Sequence, residues 1–198
     1  MTDELASMRA QKKALKEAAF AVLPRGATCD DVAAYLLRFT DSNTRLDELF
    51  AVKYKMVRPD WLRLLGENWA QTDNVAAFIP ELEAAIGKKR PALQMMDAAE
   101  LAAFDKLRDP MCVYRGCGSN NAAGICWSLD RNAAVRFPFS DRYNLAERYL
   151  ITGSVQYSQI VALKLDRGEK AIISFDVKLL KRERLFLDDG NLRTELVE

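Results

Sequence analysis

"LDRGEKAIISF", residues 165 to 175, gathers Asp166, Arg167, Glu169 and Lys170 within six residues and then turns apolar. Charged side chains stay in water. A run of Ala, Ile, Ile, Ser and Phe behind a glycine-containing turn therefore has the pattern of a buried strand entered from a solvated turn. Read locally, these charges decorate a hairpin. Whether the turn also carries chemistry depends on two segments upstream.

The first is "MCVYRG", residues 111–116, a β-branched and aromatic run that brings Arg115 to the edge of the glycine-rich "GCGSNNAAG". An arginine there offers a planar fork of donors to a phosphate or carboxylate, and the glycines permit close backbone approach. Taken alone, such an arginine more often makes a surface salt bridge. The second is "GICWSLDRNAAVRF", residues 124–137, in which Ser128 ends a strand and Asp130 is placed as the N-cap of a helix. "QIVALKL", "AIISF" and "RLFLDD" complete five strand-like runs after Pro110.

Before residue 109 the texture is helical. Thr28 with Asp31 forms a capping-box pattern ahead of Val32, Leu36 and Phe39 at helical spacing. Leu46, Leu49, Phe50 and Tyr54 form another apolar face. Pro59 stands at a first-turn position before "DWLRLLGENWAQ", and Asp97 with Glu100 opens a further helix. Trp61 and Trp69 belong to the core by this pattern. The expected architecture is α+β, with a helical region over 1–108 and a sheet domain over 109–198.

Composition narrows the chemistry. Net charge is +1, from 29 basic and 28 acidic residues. Thirteen basic and twelve acidic residues follow Arg108, which leaves sixteen of each before it. Neither part has the excess that drives sequence-independent phosphate binding, and Lys12, Lys13 and Lys16 read as a solvated helix face. No apolar run reaches the ~18 residues of a membrane helix. The opening "MTDELASMRAQKKALKEAAF" reads as an amphipathic helix rather than a signal peptide, so the cytoplasm is the expected location. Cysteines at 29, 112, 117 and 126 follow no zinc spacing, and four reduced, mostly buried thiols are expected. The chain has no histidine. That removes Ser-His-Asp and Cys-His nucleophiles, HExxH metalloproteases and any histidine base, and no metal site is expected.

Taken together, "VYRGCG", "GICWSLDRNAAVRF" and "VALKLDRGEKAIISF" resemble the arginine–serine–glutamate class of ADP-ribosyltransferases, which includes bacterial and phage toxins and effectors. The resemblance spans most of residues 112–175 and does not reach the helical region. It implies a split antiparallel β-sandwich that uses NAD as substrate. Arg115, flanked by Tyr114 and Gly116, would contact the NAD phosphates. Ser128 would buttress the nicotinamide-ribose pocket, and Trp127, Phe137 or Tyr143 would stack on nicotinamide. Cleaving the nicotinamide–ribose bond develops positive charge on the ribose, as in glycoside hydrolysis. A carboxylate near the 2′-hydroxyl stabilises that charge without histidine or metal.

One position departs from the family pattern. Members commonly carry two glutamates separated by one residue before the last strand, the second being catalytic. Here Glu169 takes the first position and Ala171 the second. Three readings follow: Glu169 is catalytic in a register shifted by two; the chain is an inactive relative that still binds NAD; or Ala171 replaces a glutamate so as to disable a toxic enzyme. The acceptor implied is a macromolecule, protein ahead of nucleic acid. A toxin of this kind implies an antitoxin or chaperone partner and no membrane. The alternative from another class is an interaction protein without an NAD site.

Overall fold

The structure, a computed structural model, describes residues 2–87, 90–119, 121–140, 144–166 and 170–197, with side chains from residue 4 onward. The chain divides into two compact units, Met1–Asn74 and Val75–Glu198. Its described residues form seven α-helices and one seven-stranded antiparallel sheet, an α+β architecture.

The first unit holds α1 (Thr2–Val22), α2 (Cys29–Phe39), α3 (Arg45–Val52) and α4 (Arg58–Asn68). The Thr28 hydroxyl accepts from Asp31 N–H while the Asp31 carboxylate accepts from Thr28 N–H at 2.8 Å, the reciprocal cap expected from the sequence. Cys29, Val32 and Leu36 then fall on one buried face. Pro59 opens α4, whose Trp61, Leu62, Leu64 and Leu65 are buried, as are Leu46 and Leu49 of α3. Trp61 keeps its indole satisfied by donating to Leu49 O at 2.7 Å. Tyr54 departs from the expected face and is 87% exposed. Helix α3 ends at Val52, and the tighter 3-10 turn Lys53–Lys55 changes the angular spacing that the helical count assumed.

The second unit contains α5 (Ile79–Ile86), α6 (Ala98–Phe104), α7 (Arg131–Arg136) and strands β1 (Met111–Cys117), β2 (Cys126–Ser128), β3 (Arg148–Val155), β4 (Ile160–Lys164), β5 (Ala171–Ser174), β6 (Lys178–Asp188) and β7 (Asn191–Leu196). Strand order is β4-β5-β2-β1-β3-β6-β7. All five expected strand runs lie on strands. Two strands gave no expectation. β3 is central and buried; β7 is an exposed edge joined to β6 through Asp189 and Gly190, both at positive φ.

Texture changes at Pro110, where the sheet begins, but compactness divides the chain earlier. Residues 75–108, expected in the helical part, belong to the unit of the sheet. The reason is packing on β4. Asp97 and Glu100 cap α6 reciprocally, and the Glu100 carboxylate also accepts from Lys164 Nζ at 2.7 Å and Leu165 N–H at 3.0 Å. Phe104 meets the Tyr157 ring at 4.6 Å between centroids, and Ala92 N–H donates to Val161 O at 2.9 Å. Both members of the Glu100–Lys164 pair are buried. Glu100→Ala would leave the Lys164 ammonium uncompensated. It should destabilise the chain by about 3–5 kcal/mol in urea unfolding, and Lys164→Met in the same background should recover most of the loss.

Candidate functional site

Four strands line up at the candidate site. In register, Tyr114 of β1 faces Ser128 of β2, which faces Ala171 of β5, which faces Lys164 of β4. Directly opposed residues of an antiparallel pair share a face, so these four form one row across the sheet. Strands β1 and β2 are joined at the Tyr114–Ser128 pair alone, so the sheet is nearly parted there. Over this face lies α7, which Asp130 starts by accepting from Asn132 N–H at 2.8 Å. Gly116 makes the close approach possible. A Cβ on it would stand 1.9 Å from Ala134 O and 2.6 Å from the Pro138 ring.

Between the row and α7 is a cavity of about 100 Å³, lined among others by Gly116, Ser128, Ala134, Phe137 and Ala171. An enclosed cavity of roughly 150 Å³ holds benzene, so this one is on the scale of a single ring. Tyr114, Arg115, Trp127, Ser128 and Ala171 all border it. Phe137, half exposed at the end of α7, closes one side. The small residues Ala133 and Ala134 also line it. Sequence reasoning passed over them, although two alanines on the first turn of a helix are a signal of close helix-on-strand packing. Glu169 and Tyr143 lie outside the described residues.

The individual side chains qualify the expectations. The Ser128 hydroxyl accepts from Asp130 N–H and donates to Asp130 O, both at 3.0 Å, a turn-stabilising role at the entrance to α7. Arg115 leaves β1 on the side opposite Tyr114. Its guanidinium reaches into the gap between β1 and β2, donating to Cys126 O at 2.7 Å and Asn121 O at 3.0 Å. Gly124 packs against that guanidinium; a Cβ there would lie 2.0 Å from it. Arg115 Nε is buried without a partner. The Trp127 ring turns away from Ser128: its Cζ3 is 3.5 Å from where a Cβ on Gly153 would stand, beside Val177, so the ring occupies the other face of the sheet.

Titration near the site follows burial and bonding. A hydrogen bond with Cys112, then burial, raises the Tyr114 phenol, and the Arg131 charge opposes both. Burial raises the Cys117 thiol against the lowering pull of Arg115 and Arg182. Of the four free cysteines, Cys29 and Cys117 are buried, Cys126 is half-buried and Cys112 is exposed, fewer buried than composition suggested. Among the described residues no cluster of acidic and thiol groups could hold a metal, and no helix is long and apolar enough to cross a membrane.

Comparison of the chain with protein-family models, curated proteins and solved structures gives no match. What the site can hold follows from its geometry. Gly116 is the position where that geometry is least forgiving. Gly116→Ala should push α7 off β1 and cost about 1–3 kcal/mol of stability, read by urea unfolding with tyrosine and tryptophan fluorescence.

Proposed function

We propose that this chain is an NAD-dependent mono-ADP-ribosyltransferase of the arginine–serine–glutamate class, with Ala171 at the position of the catalytic carboxylate. The observation that carries the reading is the register row. Three motif segments separated by up to sixty residues of chain, which the resemblance singled out, come to adjacent strands, and Ser128 and Ala171 are direct cross-strand partners bordering a ring-sized cavity. Nicotinamide suits that cavity by size, with the Phe137 ring at its border and Gly116 offering backbone at the parting of β1 and β2. The rest of the dinucleotide would lie outside it. The single-pair joint between β4-β5-β2 and β1-β3-β6-β7 supports treating the sheet as the two halves of a split β-sandwich.

In the reaction, a glutamate at 171 would stand beside Ser128, where its carboxylate meets the positive charge that develops on the ribose as nicotinamide leaves. Ser128, by bonding the Asp130 backbone, would hold the strand end that positions it. The acceptor is proposed to be a protein side chain, the setting a bacterial or phage toxin or effector in the cytoplasm, with an antitoxin or chaperone as partner. The helical residues before the sheet unit would select the acceptor.

A second reading is an NAD-binding or interaction module without transferase activity. Two observations favour it: Ala171 carries no carboxylate, and Arg115 Nη1 and Nη2 already donate to Cys126 O and Asn121 O. Releasing charge-assisted bonds of this kind costs about 1.5–3 kcal/mol each, which a phosphate would have to repay. Calorimetry with NAD and a radiolabel-transfer assay on Ala171→Glu separate the two. The transferase reading expects NAD binding that Arg115→Ala removes. It also expects Ala171→Glu to raise NAD cleavage by about 10²–10³. Binding without any gain in cleavage would support the NAD-binding module, and no NAD binding by either protein would end the transferase reading and leave an interaction module without an NAD site.

A further inference from the structure

The other face of the same strands holds a second and larger cavity. Its volume is about 670 Å³, within the range typical of small-molecule sites. Ile79, Ile125, Ile151, Phe175, Val177 and Leu180 supply an apolar lining. Trp127 and Arg182 supply its polar points: Trp127 is 4% exposed with Nε1 unpartnered, and the Arg182 Nε is buried and unpartnered as well. The Arg182 guanidinium lies 3.9 Å from the centre of the Tyr149 ring, and no carboxylate pairs with it among the described residues.

The two acidic groups of this cavity share one cation, and with Lys181 and Arg182 also in the lining its acidic and basic side chains balance. Glu83 and Asp176 line it, and Arg90 is ion-paired with both. Behind Gly124, the Arg115 guanidinium adds further positive charge. The two unsatisfied polar atoms on residues that line this cavity, Trp127 Nε1 and Arg182 Nε, are both donors. A buried donor without an acceptor costs free energy, so a built site with donors alone calls for a ligand that accepts.

We propose that this cavity is a second ligand site that takes a small organic anion with an apolar, planar body. The body fills the apolar lining and the anionic group accepts from Arg182 and Trp127. The site is separate from the ring-sized cavity under α7 and does not rest on the NAD reading. Trp127 sits between Cys126 and Ser128, so the strand that carries its indole also carries the serine of the first cavity.

The test titrates the full chain with 1-anilinonaphthalene-8-sulfonate, with the uncharged N-phenyl-1-naphthylamine as control. Nitrogen–proton spectra follow the indole signals of Trp61, Trp69 and Trp127, and Trp127→Phe assigns the third. The expected result is saturable one-to-one binding of the sulfonate that shifts the Trp127 indole and leaves the other two in place. Arg182→Gln should weaken binding by about tenfold or more, the effect of one charge-assisted hydrogen bond, and Trp127→Phe by less. NAD should not displace the dye. Any of four results would overturn the proposal: equally tight binding of the uncharged amine, a stationary Trp127 indole, unchanged affinity in both variants, or competitive displacement by NAD. Loss of dye binding with rising protein concentration would likewise overturn it, by making the cavity an interface between copies of the chain.

Discussion

Strands β1 and β2 hydrogen-bond through one register pair, Tyr114 with Ser128, and beyond it the two backbones part. The carbonyls freed by that parting need donors, because an unsatisfied buried polar group is expensive. Arg115 supplies them. Its guanidinium takes Cys126 O and Asn121 O, and Gly124 lies flat against it because no side chain would fit. The joint that sets Tyr114 beside Ser128 on one face is thus closed from the other face by an arginine side chain.

This arrangement gives Arg115 two competing uses. As a structural group it holds the loop between β1 and β2 against the sheet. As a ligand-binding group it would have to surrender those bonds to a phosphate. The same tension applies to Ser128, whose hydroxyl already serves the turn into α7. Residues that chemistry would recruit are also those that keep the strands in place, so loss of function and loss of stability would be coupled at both positions. The register row escapes the conflict at Ala171. That position makes no polar contact through its methyl group, and a longer side chain there would point toward the cavity.

Strand alternation divides the polar groups between two faces. Tyr114, Ser128 and Ala171 go to the side of α7, whereas Trp127 and the Arg115–Ile151–Arg182 cross-strand line go to the other. Because three-residue β2 sends consecutive side chains to opposite faces, Trp127 and Ser128 serve different cavities while sharing a peptide bond. A change of backbone at one would be felt at the other.

Much of this was legible in the sequence. The reciprocal caps at Thr28 and Asp97, the N-cap at Asp130 and five of the strands are local matters of hydrogen bonding and hydrophobic period, which neighbouring residues settle among themselves. No expectation was drawn from the Asp189–Gly190 pair, and the all-exposed β7 that follows it lacks the alternation that marks a strand. Tertiary structure alone decided the rest. It placed residues 75–108 with the sheet because a buried Glu100–Lys164 pair joins α6 to β4, a contact across 64 residues that no local pattern encodes. It turned the Trp127 ring away from Ser128, since side-chain direction on a strand depends on register with its neighbours. It also bound the donors of Arg115 to backbone carbonyls, because those acceptors exist only once the two strands have parted.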